Sequence, residues 1–305
     1  MGYTLNVLGA AIGVRSAVGD AALATVSEGA GKKSAALIFA DKHVEKVKTG
    51  FAWSEAVAMD STSIVANAQK DAGKTFPVVV SRADGAVLVL KPAAGHTAAS
   101  ALALGADGAV YGWSVGRIDG KATYCSVVWP AGESDPELLK AADTEAIGAS
   151  PRGGVFIRYR KLNKLAEFFT GAGEIEVSTG TVIGARVNPD TLEAVGAIAT
   201  RLDPDGTFDF QAVRWNGGQT VLADTPDEES CVALGITDGG IAYGYTQRGK
   251  RRFAAVFLGG GTIAEIDDNS EVSAYEVHAY STELGFVGMG QDASGKQVAW
   301  SAIPA

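Results

Sequence analysis

Only two cysteines, Cys125 and Cys231, occur in 305 residues, which excludes a disulfide-built scaffold. Histidine is nearly as scarce. His43, His96 and His278 are far apart, and none has a second His or a Cys at metal-ligand spacing. No apolar run reaches the roughly 18 residues that a membrane-spanning helix needs. A G-x-S-x-G nucleophile elbow and a Walker-type phosphate loop are both missing. The first six residues hold no Lys or Arg, so the basic segment of a secretory signal is lacking. Charged residues make up only 20% of the chain against 47% hydrophobic, too apolar a balance for disorder. The net charge of −9 argues against nucleic acid as a partner. These absences predict a soluble chain made in the cytoplasm, with no membrane insertion, no metal and no cofactor.

Glycine, by contrast, is abundant: 39 residues, about 13% against an average near 7%. It has no period of three, which excludes collagen. Its distribution follows a longer repeat. A strand-like phrase with a small third residue recurs as AIGV (11–14), AVAM (56–59), ALAL (101–104), AIGA (146–149), VIGA (182–185), ALGI (233–236) and VHAY (277–280). EAVG (193–196) competes for the fifth copy. Gly-Lys turns run in step with the phrase, at Gly31-Lys32, Gly73-Lys74, Gly120-Lys121, Gly249-Lys250 and Gly295-Lys296, with Gly206-Thr207 as a variant. An apolar strand follows each. The sixth repeat shows four strands plainly, at 231–237, 240–246, 253–258 and 262–267.

Four short strands every 40 to 50 residues are the signature of a β-propeller blade. Seven phrases predict an all-β, seven-bladed propeller of four-stranded blades, forming one domain over 1–305. The seventh repeat runs out of chain after three strands, and one spare strand (3–9) precedes the first repeat. The N-terminal strand is therefore predicted to pair with 297–303 and close the last blade. Two segments, 43–48 and 136–143, have the pattern of a helical turn. Small residues at Gly184 and Gly235 are expected where inner strands converge, with Val57, Leu102, Ile147 and Leu234 packing between blades.

ALGITDGGIAYGY with AAVFLGGG, and ALALGADGAVYGW with SVVWPAG, resemble the HAF-type repeats of bacterial β-propeller proteins. The resemblance covers most of the chain. It implies the fold and no defined catalytic residues.

No constellation of nucleophile, acid/base pair or metal ligands emerges from local motifs. LDPDG (202–206) has only the start of a calcium loop, and DGTF (205–208) only part of a sialidase-type turn. His278 reads as a hydrogen-bonded packing residue on an inner strand, and the two Cys as buried free thiols. The propeller arrangement gathers charge on one face, where loops join second to third strands and lead into inner strands. Its densest basic cluster is Arg248, Lys250, Arg251 and Arg252, with Arg117 and Lys121 as a second. Acids, including Asp224, Asp227, Glu228 and Asp268, and the aromatics Phe51 and Trp53, share this face. The expectation is a non-enzymatic binding or structural propeller docking through that face to other proteins of an assembly, such as a bacteriophage tail, fibre or decoration protein. A carbohydrate-binding or carbohydrate-cleaving propeller and an intracellular interaction scaffold are the alternatives, so a glycan stands beside protein as a partner.

Overall fold

The computed structural model describes residues 2–71, 74–202, 208–223 and 229–304. Gly73, Gly206, Thr207, Asp224, Asp227 and Glu228 lie outside them, as does most of the LDPDG segment. Twenty-eight strands, β1 to β28 in chain order, form seven four-stranded antiparallel sheets. Each sheet is one blade of a seven-bladed β-propeller, and the described residues contain no helix. The inner strands are β2 (Gly13–Val18), β6 (Trp53–Met59), β10 (Ala98–Leu104), β14 (Thr144–Ala149), β18 (Val182–Val187), β22 (Glu229–Ile236) and β26 (Val272–Ser281). VIGA (182–185) thus opens the fifth inner strand, and EAVG belongs to its neighbour. The two helix-like segments are outermost strands instead, β5 (Val44–Lys46) and β13 (Glu137–Ala141). Their apolar spacing is too short to nucleate a helix, and the adjacent third strand offers a ready ladder.

The ring closes as the spare strand predicted. β1 (Tyr3–Ala10) pairs antiparallel with β28 (Gln297–Pro304), from Tyr3 opposite Pro304 to Ala10 opposite Val298. The blade is completed by β27 (Gly285–Asp292) and β26.

Burial is organised between blades. Seven apolar clusters occupy the seven interfaces between neighbouring blades, and each draws buried residues from both sides. Because one face of every blade packs on the next, strands read as runs of Ala, Val, Leu and Ile. Trp129, Trp215 and Trp300 are the largest fully buried side chains. Cys125 and Cys231 are both buried, are not joined in a disulfide, and Cys231 Sγ accepts the Ala212 amide at 3.1 Å.

The small residues of the inner strands have a different cause from simple crowding at the axis. Every inner strand carries a β-bulge, an extra residue that its partner strand does not oppose. The register skips at Val14/Ser16, Ala56/Ala58, Ala101/Ala103, Ala146/Gly148, Ile183/Arg186, Ala233/Gly235 and Val277/Ala279. The unopposed residues are Arg15, Val57, Leu102, Ile147, the Gly184–Ala185 pair, Leu234 and His278. Position for position, the small residue follows the bulge: Ser16, Ala58, Ala103, Gly148, Gly235 and Ala279. The phrases at Gly13 and Gly184 were out of register with the rest, and in the fifth blade the residue after the bulge is Arg186.

Gly235 has no room for a side chain. A Cβ there would lie 2.4 Å from the Tyr243 ring of the same blade, whereas one at Gly184 would meet nothing nearer than Val232 at 4.0 Å. Gly184 is constrained by its φ of +65° instead. Gly235→Leu is expected to lower stability by about 1–3 kcal/mol through overpacking. Thermal unfolding measures this, and an unchanged midpoint would contradict the assigned contact.

Candidate functional site at the propeller axis

The bulges push their extra residues toward the axis, where they line one funnel of about 990 Å³. It opens on the face of the first hairpins of the blades, past Gly19, Asp60–Thr62, Gly105, Asn188–Asp190, Asp238 and Thr282. This is the end of the propeller opposite the charged loops. Around the bulge ring, Val57, Leu102, Ile147, Ala185 and Leu234 make an apolar wall. The polar exceptions are His278 and Arg15, which are adjacent because the seventh and first blades are neighbours.

Beside them stands Arg186, where other blades carry Gly, Ala or Ser. Charges on Arg15, Arg158 and Glu276, and the Tyr243 phenol, all act on its guanidinium. These residues belong to the first, fourth, seventh and sixth blades, and only a group near the axis reaches all four. Burial, then the nearby Arg15 charge, brings the Arg186 pKa down to about 10. Tyr243 is pushed up to about 12, first by burial.

Below this level sits a tier of carboxylates. Glu55, Glu145 and Glu276 each lie two residues before the bulge of their strand. Glu55 meets Arg15 at 3.9 Å. Glu145 is held by Arg158 at 2.5 Å and by Arg160. Glu276 is bound by Arg252 and by His278 Nε2 at 2.8 Å. Burial alone would raise the Glu276 carboxyl, but the His278 and Arg252 hydrogen bonds hold it below its ordinary range. An ionised carboxylate only accepts, so Nε2 carries the proton and donates. That leaves the Nδ1 lone pair without a partner among the described residues. Burial holds the His278 imidazole below its ordinary value of 6.5, assisted by the Arg186 and Arg15 charges and opposed by Glu276. The ring is therefore neutral at pH 7, a base oriented by a carboxylate. At the funnel's rim, burial and then Asp238 raise the Asp190 carboxyl. The described residues hold no cluster of His, Cys, Asp and Glu suited to a metal ion.

The loop-face candidates do not assemble into one site. Arg248 is bound to Glu229 at 2.9 Å and Glu265 at 2.6 Å, and Arg251 to Asp268 at 3.0 Å. Arg252 points inward to Glu276, supporting the axial pair. Lys250 is exposed beside them. Arg117 and Lys121 are exposed on the third blade, remote in the ring from the sixth. Phe51 packs against the cluster between the first two blades, and Trp53, which starts β6, is half-buried. His96 is occupied by Ser114, with Nδ1 at 2.9 Å from its hydroxyl. The sequence reading overlooked Arg15, Arg186 and the role of His278 because they come from three blades and share no local motif. The signal was present as departures from the repeat, legible once the bulge register is known.

Fold and site together define a propeller with a charged axial funnel. No family model matches the chain, so the HAF-type resemblance carries the propeller fold and nothing finer. No curated protein matches it either. Among solved structures, it is similar to the propeller domain of the Trilobed protease from Pyrococcus furiosus (9% identity, 96% of this chain and 94% of that one, TM-score 0.61). It is similar also to a catalytically inactive histidine-to-alanine variant of virginiamycin B lyase from Staphylococcus aureus, solved with quinupristin (11%, 99% and 100%, TM-score 0.58). A third is a puromycin hydrolase (13%, 95% of this chain, TM-score 0.59), of whose length the chain spans about half, 53%. At such identities the likeness establishes the fold alone. The expectation of a non-enzymatic part of a virion is corrected here: the similar folds are those of a lyase, a hydrolase and a protease domain, and nothing in them points to a virion. The physical reason is that a propeller collects its axial residues from separate repeats, so no local motif carries them. No helix of the described residues is long and apolar enough to cross a membrane.

Proposed function

We propose that the chain is an enzyme working in the axial funnel, with His278 as the base that removes a proton from a bound substrate. The observation that carries this reading is the His278–Glu276 pair, set in the funnel wall beside an arginine. Glu276 fixes the ring and its tautomer, and Arg252 fixes Glu276. The Nδ1 lone pair has no partner among the described residues and is covered, and an unsatisfied buried acceptor costs roughly 1–3 kcal/mol, so a turn of the ring toward the funnel to meet a substrate proton donor is favoured. Arg186 and Arg15 stand where negative charge would develop on the substrate after proton loss. Among the described residues no serine or cysteine is hydrogen-bonded to His278, so the chemistry favoured is proton abstraction and elimination rather than attack by a protein nucleophile. A lyase of this fold that loses catalysis when a histidine becomes alanine accords with the reading.

The test is a turnover screen by mass spectrometry against lactones, esters and acids bearing a leaving group β to an acidic C–H. Turnover by the native chain is expected to fall by about 10²–10⁴-fold in His278→Ala, the range for a positioned acid or base. Circular dichroism checks that the variant still folds. The pH profile adds a sign. Because the folded imidazole lies below 6.5, kcat/KM should stay level at neutral pH and fall only on the acid side of 6.5, as the base becomes protonated. Undiminished turnover in His278→Ala, or an activity that rises as pH falls below 6.5, would overturn the assignment.

A further inference from the structure

We infer that the axial funnel recognises a monocarboxylate with an apolar body, its carboxylate bound by Arg186. This deepens the proposed function and rests on the funnel being the working site. Three observations converge. First, Arg186 occupies a place filled by Ser16, Ala58, Ala103, Gly148, Gly235 and Ala279 in the other blades. A long cation there is a departure that the fold itself does not require. Second, every other cation at the axis is paired with a carboxylate: Arg15 with Glu55, Arg158 and Arg160 jointly with Glu145, and Arg252 with Glu276. Arg186 has no ion pair or hydrogen bond among the described residues. An unpaired guanidinium in a partly dry funnel is costly until an anion joins it, and its planar fork fits a carboxylate in bidentate fashion.

Third, the surroundings select the kind of anion. Arg186 is the one of these guanidinium groups with no carboxylate among the described residues, and one planar fork seats one carboxylate. The rim is acidic, with Asp60, Asp190 and Asp238 around the mouth, and it disfavours entry of a dianion. The rest of the bulge ring is apolar, through Val57, Leu102, Ile147 and Leu234, and suits a hydrocarbon body. His278, two blades on in the ring and close enough to feel the Arg186 charge, would then lie toward the body of that ligand.

Binding without turnover tests this directly. Phenylacetate is titrated into the intact chain by calorimetry or ligand-observed NMR, alongside phenylacetamide and phenyl phosphate. Saturable phenylacetate binding is expected, weakened by at least about tenfold in Arg186→Met, as the loss of a charge-assisted pair implies. Arg186→Lys should recover part of it. The amide should bind weakly to both forms, and phenyl phosphate no better than phenylacetate. The melting temperature of Arg186→Met should match or exceed that of the native chain, since an unpaired charge is removed, so a binding loss is not a folding loss. Absent binding, equal affinity in Arg186→Met, equal affinity for the amide, or tighter binding of phenyl phosphate would each overturn the inference. His278→Ala should still bind phenylacetate. Arg186-dependent binding in a chain that turns nothing over would retire the catalytic reading and leave the carboxylate site standing.

Discussion

Removal of residues 2–10 is expected to abolish the cooperative unfolding transition of the ring or to lower its midpoint steeply. The strand β1 contributes two buried leucines to two different interfaces. Leu5 packs with Tyr243, Val256 and Trp300 between the sixth and seventh blades. Leu8, only 1% exposed, packs with Ala22, Ile38 and Val287 between the seventh and first. At roughly 1.5–3 kcal/mol for each fully buried leucine, the loss is about 3–6 kcal/mol before strand pairing is counted. A folded domain holds only about 5–15 kcal/mol in total. The deletion also strips the ladder from β28 and leaves an apolar, unpaired edge, which invites association between chains. Calorimetry and size-exclusion chromatography check both effects. Leu8→Ala is the milder companion, expected to cost about 2–5 kcal/mol. A deleted chain that melts like the native one and elutes at the same size per chain as the native one would mean that β1 does not close the ring. Closure bears on the proposed site as well, because the blade it completes is the one that carries Glu276 and His278.

The propeller was legible in the sequence because a blade is a local object. Four strands, their turns and their small residues recur within 40 to 50 residues, and the eye needs no tertiary knowledge to count seven. Closure was legible for the same reason, as a spare strand at one end and a missing one at the other. Register was not. Gly13 looked like Ala58 or Gly235 because an apolar-small-apolar phrase matches at more than one offset, and only the bulge decides which offset is structural. The error hid the site. With Arg15 at the bulge of the first blade and Arg186 after the bulge of the fifth, the repeat is broken at the places where the axis is charged. Charge density misled in the other direction. Arg248, Arg251 and Arg252 crowd the sequence, yet each is neutralised by a carboxylate that the blade geometry brings alongside. Pairing across strands is invisible in a composition, whereas a lone arginine in the sequence such as Arg186, with no carboxylate bound to it among the described residues, attracts no notice until its surroundings are known.

Gly288→Ala is expected to destabilise the chain by about 3 kcal/mol or more, the upper range for forcing atoms into a filled space. Gly288 lies in β27 opposite Val277, beside the bulge that presents His278. A Cβ there would stand 2.0 Å from the Glu276 carbonyl oxygen and 2.4 Å from the buried Trp300 ring. Neither neighbour can yield easily, since one is backbone and the other is fully enclosed. Gly112 and Gly244 make the same approach to Ser100 and Val232 carbonyls, at 2.1 and 2.0 Å. The first, second and fourth blades instead place Ala24, Ala66 and Ile157 opposite the bulge. The repeat as such therefore tolerates a side chain here, and the demand for glycine belongs to the tighter bulges of the third, sixth and seventh blades. In the seventh, relief of the clash must move the strand that carries Glu276 and His278, so the substitution should depress turnover in the molecules that remain folded. Gly13→Ala supplies the contrast. A Cβ at Gly13 meets nothing within 4 Å, and the change should leave stability unaltered or raise it by about 0.4–1 kcal/mol through the unfolded chain. Thermal melts of the two variants decide the matter: comparable midpoints would show that the bulge at Val277/Ala279 is not the close contact described, and with it would go the placement of His278 at the axis.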